Sequence, residues 1–131
     1  MAEAAVRETV TLAGRAERAR LARAFVAGTL GPGHACVDDA VLLVSELFGN
    51  SVRHSASGAP GETVTIAVRT GDEVARIEVT DRSGPGAPGL APASWDAEGG
   101  RGLQVVARLA ARWGWRRRGG WIVTWFELPL G

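Results

Sequence analysis

The sequence predicts an α+β fold: a two-layer sandwich with helices on one face of a mixed, mostly antiparallel sheet. Three observations predict it. Hydrophobic periodicity along the 131 residues switches between steps of two and of about 3.6 residues, in the order β-α-α-β-β-loop-α-β-β. Two pairs of strand-like runs are joined by tight turns, and hairpins of this kind build antiparallel sheet rather than a doubly wound one. Hydrophobic residues make up 46% of the chain, enough to fill one core and too many for a disordered chain. The length fits one domain, residues 1–131, without internal repeats.

Each element has its own signal. Residues 8–12 alternate polar and apolar side chains and read as a first strand, broken by Gly14. Residues 15–29, rich in Ala, Arg and Leu, place Leu21, Phe25 and Val26 at helical spacing. Gly28 and the turn Gly31-Pro32-Gly33 are expected to end that helix. A second helix is expected over 36–54, with Asp38 and Asp39 in its first turn, where carboxylates suit the helix dipole. Val41, Val44, Phe48 and Val52 define its buried stripe. A Gly/Ser/Pro-rich loop, 55–61, leads to two strands, 63–69 and 74–80, joined by Thr70-Gly71-Asp72. Residues 82–100 are glycine-rich, hold three of the six prolines and show no periodicity. A loop of this length inside a small domain is usually functional, and it is expected to be a mobile lid. A third helix is expected over 103–112, then a second hairpin, 113–118 and 121–128, around Gly119-Gly120. Four of the five tryptophans fall in that hairpin. They can pack the sheet, or Trp113 and Trp115 can belong to a partner or dimer surface.

Composition removes several classes of function. All fifteen basic residues are arginine, so a P-loop lysine and Schiff-base chemistry are excluded. A net charge of +1 offers no global field for nucleic acid or an acidic membrane. Cys36 has no second cysteine to pair with, and one cysteine with two histidines falls short of a structural zinc site. The longest apolar run, Ala40–Val44, is far below a membrane span, and residues 1–7 lack a signal pattern. A reducing compartment and no membrane partner are the expectation.

Three clusters could carry chemistry. On the second helix, Glu46, Asn50 and His54 follow one another at four-residue steps, on one drifting stripe beside the apolar one. A carboxylate, an amide oxygen and an imidazole so aligned can orient a water, ligate a hard cation such as Mg²⁺ and touch a phosphate. They can equally be ordinary polar positions on a half-exposed helix. Asp81 continues the parity of Ala75, Ile77 and Val79, so its carboxylate is expected at the inner rim of the sheet. There it needs hydrogen-bond donors, such as a purine amino group, unless it merely caps the turn Asp81-Arg82-Ser83-Gly84. Finally, Gly99-Gly100-Arg101-Gly102 runs into the third helix, where free amides and Arg101 can hold phosphate, or where the glycines simply make a flexible turn.

In that order, the three clusters resemble the GHKL ATPase superfamily, which includes gyrase, heat-shock chaperones, mismatch-repair ATPases and sensor histidine kinases. Leu42-Leu-Val-Ser-Glu46-Leu-Phe-Gly-Asn50-Ser-Val-Arg-His54 is similar to the N box. Val79-Thr-Asp81-Arg-Ser-Gly84-Pro-Gly86 resembles the G1 box, and Gly100-Arg-Gly102-Leu103-Gln-Val-Val the G2 box. Size and element order are most similar to the anti-sigma-factor serine/threonine kinases and their actinobacterial relatives.

The resemblance implies the Bergerat ATP-binding fold, with ATP and Mg²⁺ as ligands. It implies that Glu46 is the general base, that Asn50 coordinates Mg²⁺ and that His54 sits near the phosphates. Asp81 would accept from the adenine amino group. Gly84 and Gly86 would shape the adenine end of the site, and Gly100, Arg101, Gly102 and Leu103 the phosphate cradle. The implied partners are an anti-anti-sigma-type protein, a sigma factor in the other state and a second copy in a homodimer, in the cytoplasm and without direct nucleic-acid contact. Ser83 stands where the first glycine of the usual Asp-x-Gly-x-Gly belongs. The alternative function is therefore a degenerate, non-catalytic module that acts by docking partners.

Overall fold

A computed structural model describes residues 6–31, 33, 35–54, 59, 61–71, 73–82 and 108–130. Five strands form one sheet: β1 (Val6–Ala13), β2 (Thr63–Thr70), β3 (Val74–Arg82), β4 (Arg112–Arg118) and β5 (Trp121–Pro129). Their spatial order is β1-β2-β3-β5-β4, and all four pairings are antiparallel. A 3₁₀ turn, Ala16–Arg18, leads from β1 into helix α1 (Ala19–Leu30), and α2 (Val37–His54) follows. Both helices pack on one face of the sheet, which is the expected two-layer α+β sandwich.

The core between the layers follows from the patterns. From α1 come Ala22, Val26 and Leu30; from α2 come Leu43, Val44, Leu47 and Phe48. The sheet supplies Ile66, Ile77, Val79 and Phe126 from its three central strands. The most buried face of α2 is rotated slightly from the expected stripe. Val44 and Phe48 are fully enclosed, whereas Val41 and Val52 lie half-buried at its edges.

Several boundaries differ from expectation for identifiable reasons. β1 runs from residue 6 to 13 rather than 8 to 12, because all eight positions find partners along β2. Helix α1 starts at Ala19, since residues 16–18 form the tighter 3₁₀ turn, with the Arg18 N–H bonded to the Arg15 carbonyl at 2.9 Å. Gly28 lies inside α1. The stop is Gly31, whose φ of +97° no helix accommodates and which suits glycine. Arg82 belongs to β3, paired with Trp121, rather than to the following loop. The third helix does not reach residue 112: helical backbone is described at 108–109, and the Ala111 N–H then bonds the Glu127 carbonyl at 2.9 Å, leading Arg112 into β4. The earlier part of that helix and residues 83–100 of the expected lid lie outside the described residues.

Candidate functional site

The site is built where α2 crosses the end of β3. Burial along β3 alternates strictly, and Asp81 falls on the enclosed parity with Ala75, Ile77 and Val79, only 4% exposed. Its partner comes from thirty residues earlier: the Ser51 hydroxyl, on α2, donates to Asp81 Oδ2 at 2.5 Å. Burial raises the Asp81 carboxyl from 3.8 to about 6, and the Ser51 hydrogen bond offsets part of that rise. Oδ2 is committed to Ser51, which leaves Oδ1 able to accept from a further donor.

Ser51 was not among the expected site residues. Its signal lay in the sequence, because a serine four residues after Leu47 and three after Phe48 puts a hydroxyl on an apolar stripe, where it needs a partner. Which partner it takes is a long-range fact that the stripe cannot supply.

Asn50 is also 4% exposed and immediately precedes Ser51. Its Oδ1 accepts from the Arg53 guanidinium at 2.8 Å, and its Nδ2 has no hydrogen-bond partner. The Arg53 bond sets the amide orientation, since a flipped amide would turn its NH₂ toward a cation. Gly49 makes room for this arrangement: a Cβ there would lie 3.1 Å from Arg53 Nη1. Arg53, too, was missed; only its place three residues after Asn50 on a helix hinted at the contact.

Glu46 lies half-buried one turn before Asn50 on α2 and makes no ion pair with another described residue. The structure therefore brings Glu46, Asn50 and Ser51 onto one helix, with Asp81 locked to it through Ser51. His54 ends α2, and its side chain is outside the described part. Gly84, Gly86, Gly100, Arg101, Gly102 and Leu103 all lie outside the described residues.

Among the described residues no three His, Cys, Asp or Glu side chains converge on a metal position. Mg²⁺ does not need such a cage: it takes one or two protein oxygens and completes its shell with phosphate and water. Asn50 Oδ1 fits that part. It already faces a positive charge, the Arg53 guanidinium, so exchange for a cation changes the partner and not the polarity.

The fold is thus an α+β sandwich with a buried acid at the end of a central strand and an amide-bearing helix tied to it through Ser51. The chain belongs to the family described as the histidine kinase-like ATPase domain, whose model matches residues 11–126. That membership points to ATP as the ligand. Comparison with curated proteins yields no match. Among the described residues no helix is long and apolar enough to cross a membrane.

Proposed function

We propose that the protein is an ATP-binding regulatory serine/threonine kinase of the anti-sigma type, acting in the cytoplasm as a homodimer. It transfers the γ-phosphate of ATP to a Ser or Thr of an anti-anti-sigma-type partner and binds a sigma factor in the other state. The observation that carries this reading is the Ser51–Asp81 bond, which ties the adenine-selecting acid to the helix bearing Glu46 and Asn50.

Asp81 Oδ1 accepts from the adenine amino group while Ser51 holds Oδ2, so a purine carrying a carbonyl at that position is rejected. Asn50 would hold Mg²⁺ through Oδ1 once Arg53 releases it, and the ion would neutralise phosphate charge. Glu46 takes the proton of the partner hydroxyl as its oxygen bonds to the γ-phosphorus. The bond from that phosphorus to the bridging oxygen breaks in line, and ADP leaves. In this reading Gly84 and Gly86 shape the adenine end, and His54, Gly100, Arg101, Gly102 and Leu103 attend the phosphates.

A second reading, a docking module without turnover, is favoured by the occupied oxygen of Asn50 and by Ser83 at the glycine position. Calorimetric titration with ATP, ADP and GTP, on wild type and on Asp81→Asn, separates the two. Adenine-selective binding that Asp81→Asn abolishes supports the ATP site, and transfer of labelled phosphate to a partner protein then excludes the docking module. No heat at millimolar nucleotide overturns the kinase reading.

A further inference from the structure

The sheet face turned away from the helices carries a charge pattern that the nucleotide site does not use. Cross-strand register sets Arg7, Arg69, Arg76, Glu127 and Arg112 in one rung across all five strands. Arg7 stands opposite Arg69, and Arg69 opposite Arg76, and like charges so placed destabilise a sheet. Glu127 relieves only the far half of the rung, pairing with Arg76 at 3.0 Å and with Arg112 at 3.6 Å. Arg7 and Arg69 are exposed and make no ion pair with another described residue. On β4, Arg116 and Arg118 share this face and are likewise exposed and without such a pair.

The two couples stand diagonally across the face: Arg69 and Arg116 are three strand spacings and four residues of strand apart, roughly 20 Å. Beside the second couple, on the rungs of Arg116 and Arg118, is a shallow depression of about 430 Å³ lined by Thr65, Thr80, Arg118, Trp121 and Val123. With Arg82, the strands present seven arginines on this face against three glutamates, Glu78, Glu127 and Glu62, the last pairing with Arg82 at 2.9 Å. The whole chain is only +1, so the positive charge is gathered on one side.

We infer that this face docks an acidic polypeptide segment of a partner protein. Its carboxylates pair with Arg7 and Arg69 at one end and with Arg116 and Arg118 at the other, and each guanidinium can make the two parallel bonds that a carboxylate matches. The docking relieves the repulsion within the rung. A second copy of this chain does not fit, because the same excess of positive charge would face itself. Single-stranded nucleic acid needs open aromatic faces for its bases. Trp125 offers none: Gly114 lies beneath the ring, where a Cβ would come within 2.8 Å, and Arg76 covers it at 4.1 Å. Arg82 stands over Trp121 at 4.9 Å. A membrane would require protruding apolar groups, and Val123, at the centre, is 2% exposed.

The test uses a fluorescein-labelled peptide of alternating glutamate and alanine, about a dozen residues long so as to cross the five strands. A glutamine–alanine peptide, an oligo(dT) strand and phosphatidylserine vesicles are the comparison probes, all at one salt concentration. The acidic peptide binds the wild-type protein, and R7E/R69E and R116E/R118E each weaken it at least about tenfold. R20E, on exposed α1, leaves it within about twofold, and melting curves confirm that every variant is folded. Equal binding of the acidic and glutamine peptides overturns the inference. So does equal weakening by R20E, and so does tighter binding of oligo(dT) or vesicles than of the acidic peptide. The nucleotide site lies across the sheet, so loss of ATP binding does not affect this result.

Discussion

Arg53 decides what Asn50 can offer a ligand. With the guanidinium on Oδ1, the buried amide presents only its Nδ2 donor, which suits a phosphate oxygen and repels a cation. In the proposed role of Asn50, Mg²⁺ would therefore compete with a charge-assisted hydrogen bond. Removing Arg53 removes that competition, and the quantity to read is the ratio of nucleotide affinity with Mg²⁺ to that in EDTA. Arg53→Ala should raise it about tenfold, equivalent to about 1.4 kcal/mol. An unchanged ratio would show that Arg53 does not guard the oxygen. The sequence carried the positions of Asp81 and Asn50, because strand parity and helix spacing are local. It could not carry the two bonds that define their state, since Ser51 reaches across thirty residues and Arg53 depends on a rotamer seated against Gly49.

The β4–β5 hairpin shows how closely an element can be packed on its outer face. Trp125 lies over Gly114, with Arg76 and Arg112 on its ring at 4.1 and 5.9 Å. A methyl group at 114 would stand 2.8 Å from the ring carbon Cζ2, and an indole held between backbone and guanidinium cannot yield cheaply. Gly114→Ala should cost about 1–3 kcal/mol. Chemical denaturation followed by tryptophan fluorescence would measure this, with a native-state emission shift as the ring leaves the arginine stack. Stability within about 0.5 kcal/mol of wild type would mean that the hairpin shifts freely. The hairpin itself was legible, because Gly119, at φ +63°, is the residue the turn requires. The side taken by each tryptophan was not. Trp113 joins the core side and Trp115, 36% exposed, shares its parity, whereas Trp121 and Trp125 face the arginines. The end of the third helix was missed for a different reason. Its Ala- and Arg-rich run has helix propensity, but sheet pairing to Glu127 overrides that preference at residue 111.

At the scale of the molecule, the order β1-β2-β3-β5-β4 matters most, because β5 inserts beside β3 and leaves Asp81 on a central strand rather than at an edge. Nothing local in the sequence dictates that order. Its result is a buried acid, paired with Ile122 of β5 and tied to α2 through Ser51. The carboxyl is raised to about 6 in the folded state, against 3.8 ordinarily. Folding therefore favours the protonated acid, so this group's contribution to stability is most favourable below about pH 4 and is lost as pH rises through about 6. At neutral pH the ionised, buried Asp81 costs the ligand-free fold up to about 3 kcal/mol, by the usual conversion of 1.4 kcal/mol per pH unit. Asp81→Asn keeps an oxygen for the Ser51 hydroxyl and removes the charge. The variant should melt higher than wild type at pH 8, and the difference should shrink as the pH falls from 6 toward 4. Urea unfolding of both proteins across that range checks it. A variant less stable than wild type at pH 8 would mean that the carboxylate is already satisfied without nucleotide. A gain in stability together with a loss of adenine binding would make Asp81 a residue that burdens the empty fold in order to choose its ligand.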